Sequence, residues 1–267
     1  MTPTVKTEHC DLYLADCLDV LPTLRVDHII TDPPFSERTH RGHDASASGY
    51  LKALPLRYSR NGKAYSPSKD GAERKPLGYE AWTPEMVGRF VEISNGACDG
   101  WMVCMTDHTL APAWAEAMSK AGRYVFAPLP YYAPGSRVRL SGDGPSSWTD
   151  WIIVSRTAKQ SRWGTLPGGY MPKSDYGKHF RMGGKPVGLM VDLVADYSRQ
   201  GELVCDPCAG SGTTAIACIR KGRKCVAIEM DEQYFEVMVN RVQEAEGIGG
   251  LFDPFIKQST LFEPVDG

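Results

Sequence analysis

Leu203-Val204-Cys205-Asp206-Pro207-Cys208-Ala209-Gly210-Ser211-Gly212-Thr213-Thr214 carries an apolar run into a turn with two glycines, and a helical pattern follows as far as Arg220-Lys221 and Gly222. The run reads as a strand. Gly210 and Gly212 permit a tight bend and close backbone approach, so amides at the helix start can face a ligand in a crevice. The basic last turn and the glycine after it close the helix. A second strand, Cys225-Val226-Ala227-Ile228, comes next and carries Glu229 at its carboxyl end. Asp231 then caps a helix with Phe235, Met238, Val239 and Val242 on one face. On the amino-terminal side Pro186 opens a helix whose Val187, Met190, Val191 and Val194 follow i, i+3, i+4, i+7 spacing.

Further strands are expected at 11–16, 27–31, 101–105, 124–127 and 151–155, and helices at 18–24 and 112–121. The strand at 27–31 stops at Asp32-Pro33-Pro34-Phe35, because two prolines cannot continue a central ladder. Apolar β-branched runs alternating with helical periods predict an α/β fold: a mostly parallel twisted sheet, helices on both faces, and an antiparallel edge strand formed by the last two strands of that central group. Residues 36–80 and 157–184 are rich in Gly, Ser, Pro and basic side chains, and read as long functional loops. The 267-residue chain is 42% hydrophobic and 23% charged, which excludes collagen-like and wholly disordered classes. Its net charge of −2 gives no polybasic signature, so a polyanion must be met locally. No apolar stretch approaches a membrane span, no signal-peptide layout opens the chain, and eight dispersed cysteines fit reduced thiols, so a cytoplasmic location is expected.

Two motifs carry chemistry. The glycine turn lacks the Lys-Ser/Thr of a phosphate-binding loop and holds Asp206, which favours a ligand with a cationic end. Glu229, about 20 residues on, can accept from ribose hydroxyls. An adenosyl group bearing an amine and a sulfonium suits both acids. At the second motif the Asp32 carboxylate and the Pro33 carbonyl can accept from an exocyclic amine, and Phe35 offers a stacking face for a planar base. Taken singly, each motif also reads as an ordinary turn; two of them at strand ends favour one shared crevice.

In these residues the sequence resembles the amino-methyltransferases of DNA, which use S-adenosylmethionine to methylate adenine N6 or cytosine N4. Asp32, Pro33, Pro34 and Phe35 match that family's catalytic tetrapeptide. Asp206, Pro207, Cys208, Ala209, Gly210, Ser211, Gly212, Thr213 and Thr214 match its cofactor loop. Asp16 with Cys17, Lys185 before the Pro186 helix, and Glu229 with Met230 correspond to residues lining the family's cofactor cleft. The tetrapeptide precedes the cofactor loop, an order similar to the circularly permuted β class with a Rossmann-like fold. That resemblance divides the chain into a catalytic half (1–35 and 81–156), a basic DNA-contacting insertion (36–80), a target-recognition region (157–184), a cofactor-binding half (185–247) and an irregular tail (248–267). Aspartate at the first tetrapeptide position resembles the adenine-N6 branch. Cytosine N4, or a DNA-binding homologue without catalysis, is the alternative.

The resemblance implies base flipping, since a paired amino nitrogen is inaccessible to in-line attack. Duplex DNA is therefore the expected partner; a homodimer and a restriction endonuclease partner are left open. Arg38, Arg41, Arg57 and Arg60 in the first loop, and Lys159, Arg162, Trp163, Lys173, Lys178 and Arg181 in the second, are the expected DNA contacts, basic side chains interleaved with aromatic ones. No metal is expected: Cys205 and Cys208 have no matching second pair, and the six histidines show no ligand spacing.

Overall fold

The computed structural model describes residues 1–39, 79–134, 145–158, 163–173 and 184–247, with backbone alone at 57–58 and 64–65. Among these residues the strands are β1 (Val5–Lys6), β2 (Cys10–Leu14), β3 (His28–Thr31), β4 (Arg57–Tyr58), β5 (Ala64–Tyr65), β6 (Trp101–Thr106), β7 (Tyr124–Val125), β8 (Leu129–Tyr132), β9 (Thr149–Arg156), β10 (Leu203–Asp206) and β11 (Lys224–Glu229). The helices are α1 (Cys17–Val20), α2 (Pro84–Ala97), α3 (Ala111–Lys120), α4 (Val187–Tyr197), α5 (Thr213–Lys221) and α6 (Glu232–Ala245).

One mixed sheet runs β1-β2-β11-β10-β3-β6-β9-β7, with β8 also on β9. The five strands from β2 to β6 are parallel. β9 turns antiparallel to β6 and carries β7 and β8 on its outer side, which is the expected antiparallel edge. β2 lies across β11 and β10 from β3, so segments from the two ends of the chain interleave in one sheet.

Side chains alternate across the sheet with period two and feed one apolar core on each face. Trp101, Val103 and Met105 of β6 join Leu189, Leu193, Tyr197 and Met238 of α4 and α6. Met102 and Cys104 point the other way, toward Val87 and Phe90 of α2 and Trp114 and Met118 of α3. The α4 stripe is wider than its sequence spacing suggests: Leu189, Met190, Leu193, Val194 and Tyr197 are buried, while Val191 is only partly so. α2 was not among the expected helices, although Thr83 caps it by accepting from the Met86 amide at 3.4 Å and Pro84 opens it. β8 was not expected either. Its Pro130 is tolerated because the strand lies outside β9, and the Pro130 carbonyl accepts from the Tyr170 amide at 2.8 Å. All eight cysteines are free thiols, and six are buried. No helix among the described residues is long and apolar enough to cross a membrane.

Candidate active site

Four adjacent parallel strands end in carboxylates. The register sets Leu14 of β2 beside Glu229 of β11, Ala227 beside Asp206 of β10, and Cys205 beside Ile29 of β3. Asp16, Glu229, Asp206 and Asp32 therefore line one edge of the sheet, on strands about 4.8 Å apart. This is the edge where ligands of open α/β sheets bind.

Asp206 fastens the glycine turn to the end of β3. It accepts from the Thr31 hydroxyl at 2.7 Å, from the Thr214 hydroxyl at 2.5 Å and from the Cys208 amide at 3.1 Å. Burial pushes its carboxyl up to about 6; the two hydroxyls and the amide pull down, and the nearby Asp32 adds to the rise. The turn itself has positive φ at Gly210 (53°) and Gly212 (78°). Glu229 straddles it, accepting from the Gly210 amide at 2.7 Å and from the Asp231 amide at 2.9 Å. Asp16 is exposed and caps α1 through the Leu18 amide at 2.9 Å. Cys17 and Cys208 face one another, raising the Cys208 thiol. Met230 is 72% exposed.

At the other side of the crevice Lys185 Nζ lies 2.8 and 3.0 Å from the two Asp32 carboxylate oxygens, 3.5 Å from Asp150 Oδ2 and 4.6 Å from the centroid of the Phe35 ring. Asp32, Lys185, Asp206, Ala209, Gly210 and Thr214 are among the residues enclosing a cavity of about 40 Å³. The two motifs therefore face one space.

Four residues outside the expected set build this site. Thr31 links the two motifs, and Asp150, at the start of β9, is the second anion beside Lys185. Asp107 is the third. It follows β6 and accepts from the Ser36 amide (3.0 Å) and hydroxyl, the Thr39 hydroxyl (2.5 Å) and the Thr109 and Leu110 amides (both 3.0 Å). Burial alone would raise its carboxyl, but these donors outweigh it and hold it below the usual range. It thus fixes the chain directly after Phe35. Arg241 of α6 is the fourth: it donates to the Ser211 carbonyl and hydroxyl, and burial lowers it to about 10. A polar residue at or just past the end of an apolar strand was the available signal for Thr31 and Asp107. Asp150 and Arg241 left no such signal, because their contacts depend on strand pairing and helix docking.

Of the expected DNA contacts, Arg38 is exposed just beyond the tetrapeptide, and Lys173 is exposed and paired with Asp192 at 2.5 Å. Trp163 sits elsewhere. Its indole donates to the Asp196 carbonyl at 2.6 Å and packs edge-on against His28 and Trp101. It lines a 440 Å³ cavity with Trp101, Phe126 and Tyr197 at the amino end of β6, the end of the sheet away from Asp32. Arg57 belongs to β4, described by backbone alone. Arg41, Arg60, Lys159, Arg162, Lys178, Arg181 and the tail 248–267 lie outside the described residues.

Comparison with known proteins converges on one class. A family model described as DNA methylase matches residues 146–240. The type II methyltransferase M.Cfr9I of Citrobacter freundii is 34% identical over 273 residues, covering 87% of each chain. Among solved structures, an M1.HpyAVI–SAM complex superposes with a TM-score of 0.58 at 18% identity, over 89% of this chain and 98% of that one. The cytosine-N4-specific PvuII DNA methyltransferase superposes at 0.61 with 14% identity, over 92% and 93%.

Proposed function

This chain belongs to the N6/N4 DNA methylase family, and from that premise we propose that it transfers a methyl group from S-adenosylmethionine to N6 of an adenine flipped out of duplex DNA. The observation carrying the proposal is the shared cavity: Asp32 and the Gly210 turn line the same space and are tied by the Thr31–Asp206 hydrogen bond. What supports the cofactor is the donor set, a left-handed glycine turn flanked by Glu229, Asp206 and Asp16, anionic groups matched to an amine and a sulfonium. Asp16, Cys17, Lys185, residues 206–214, Glu229 and Met230 would hold it. When bound, S-adenosylmethionine supplies an activated methyl carbon.

The chain's own residues would do the rest. Phe35 would stack on the extruded base. Asp32 and the Pro33 carbonyl would accept the two amino hydrogens, turning the nitrogen lone pair out of ring conjugation and toward the methyl group. Asp107 would keep that corner in place through Ser36 and Thr39. The basic insertion 36–80 and the region 157–184 would contact DNA. The preference for adenine rests on Asp32 at the head of the tetrapeptide.

Incubation with unmethylated duplex and labelled cofactor, followed by nucleoside mass spectrometry, is expected to yield N6-methyladenine. Label in N4-methylcytosine alone would reject the base assignment. Salt-sensitive DNA binding with no label in DNA would reject the enzymatic reading. Asp32→Ala is expected to retain cofactor binding by calorimetry and to lower turnover roughly 10²–10⁴-fold. Modified-base sequencing of host DNA would give the recognised site.

A further inference from the structure

Lys185 occupies the position that the proposed mechanism assigns to the target amine. Its ammonium donates to both oxygens of Asp32 and lies over the Phe35 ring, the two groups meant to receive the amino group and the ring of a flipped base. The neighbouring cavity of about 40 Å³ has room for a few waters, at the ~10–15 Å³ that each requires, and not for a purine as well. A base can reach Asp32 only if the ammonium moves.

We infer that Lys185 is a built-in surrogate for the substrate amine, holding Asp32 and covering Phe35 until a base enters and then passing to Asp150. The inference rests on the methyltransferase reading of the site. Ammonium and neutral amine alike would donate charge-assisted hydrogen bonds to the Asp32 carboxylate, but the ammonium adds the attraction of a full opposite charge at 2.8–3.0 Å, so an incoming amine cannot displace it by hydrogen bonds alone. The exchange needs a second anion to receive it. Asp150 is that anion: its Oδ2 is 3.5 Å from Nζ, and both side chains are 8% exposed. At that depth an ammonium left without a carboxylate would carry the desolvation penalty of a buried, unpaired charge, which makes transfer to Asp150 the route that keeps it paired throughout. Asp150 is fixed for this role by β9, where it lies opposite Tyr131 in the β8 register. Lys185 is placed by the buried Pro186 that caps α4. Both are positioning residues, acting on the base through Asp32.

The test uses the full chain and a duplex containing the recognised site, with 2-aminopurine beside the target base to report extrusion in the absence of cofactor. Asp150→Asn is expected to weaken base capture at least tenfold, because Lys185 then stays on Asp32. Adding Lys185→Met to that variant is expected to restore capture to within a few-fold of the parent. A purely structural role predicts that the second substitution compounds the first. Capture by Asp150→Asn equal to the parent, or a double variant as impaired as the single one, overturns the inference. Should Asp150→Asn lose its urea transition, Lys185→Met alone decides: capture at least as tight as the parent supports the surrogate, and weaker capture overturns it. Failure of the parent to extrude or methylate a base would instead overturn the functional reading on which this rests.

Discussion

Asp206 meets two opposed demands. The turn needs an acceptor for Thr31, Thr214 and the Cys208 amide, and the fold buries that acceptor to 3% exposure. Burial outweighs the hydrogen bonds, and the carboxyl rises from its ordinary 3.8 to about 6. A folded-state value above the unfolded one means that the native protein binds more protons across that interval. Asp206 therefore favours the fold most below about pH 4, and this contribution is lost as pH rises through about 6. Asp206→Asn removes the titration. Urea midpoints for parent and variant, compared from pH 4 to 7, are expected to show the variant gaining on the parent as pH rises through about 6, with a constant difference above it. A difference that does not vary with pH would mean that Asp206 does not titrate in this range. The sequence placed Asp206 at the crevice as a partner for a cationic ligand; that its oxygens are also committed to Thr31 and Thr214 was not legible, because Thr31 lies 175 residues away.

The elements that sequence periodicity exposed are those whose burial is one-sided or complete. β6, β10 and β11 carry apolar runs with a polar residue at the carboxyl end, β3 carries Ile29-Ile30 between His28 and Thr31, and α5 ends on the basic turn and left-handed Gly222 expected of it. α2 carried a comparable signal, since Thr83-Pro84 opens it and Val87, Phe90, Val91 and Ser94 form its buried stripe. Its opening lies four residues beyond the basic, glycine- and serine-rich stretch 36–80, whose loop composition runs into the cap and masks it in the sequence. β8 shows a true limit, since a proline in a short run argues against a strand until an edge position is known. Gly212 shows another. Sequence logic gives it to the ligand, as a place for close backbone approach. The structure adds a packing reason: a Cβ there would meet Met238 Cγ of α6 at 2.7 Å, and φ is +78°. Gly212→Val must therefore push α5 away from α6 and hold a β-branched residue in the left-handed region. Overpacking and strain of this kind cost about 1–3 kcal/mol each. Chemical denaturation without cofactor is expected to show a loss of that size. A variant with parental stability that fails only in cofactor affinity would return Gly212 to the ligand alone.

Across the whole molecule the small net charge conceals a segregation. Residues 36–80 hold nine Lys and Arg against five Asp and Glu, and 157–184 hold five against one, leaving 16 basic and 26 acidic side chains in the rest of the chain. The remainder repels a polyanion, so any attraction to duplex must come from those two stretches. Both border the site: the first begins directly after Phe35, and the second ends at Gly184, beside Lys185 in the cavity wall. Binding driven by phosphate contacts releases counterions, so log K falls with log salt by about 0.9 for each phosphate neutralised. The fluorescence anisotropy of a labelled non-cognate duplex is accordingly expected to fall steeply with salt in spite of the acidic balance of the chain. Replacing Arg162 and Lys178 by Gln is expected to reduce the magnitude of the slope by about 1.8 if each contacts a phosphate. The same change at two exposed cations that sit beside acids, Lys6 next to Asp11 and Lys120 next to Glu116, is expected to leave the slope unchanged. An equal loss from both pairs would show that DNA senses only net charge, and would remove the basis for assigning recognition to these stretches.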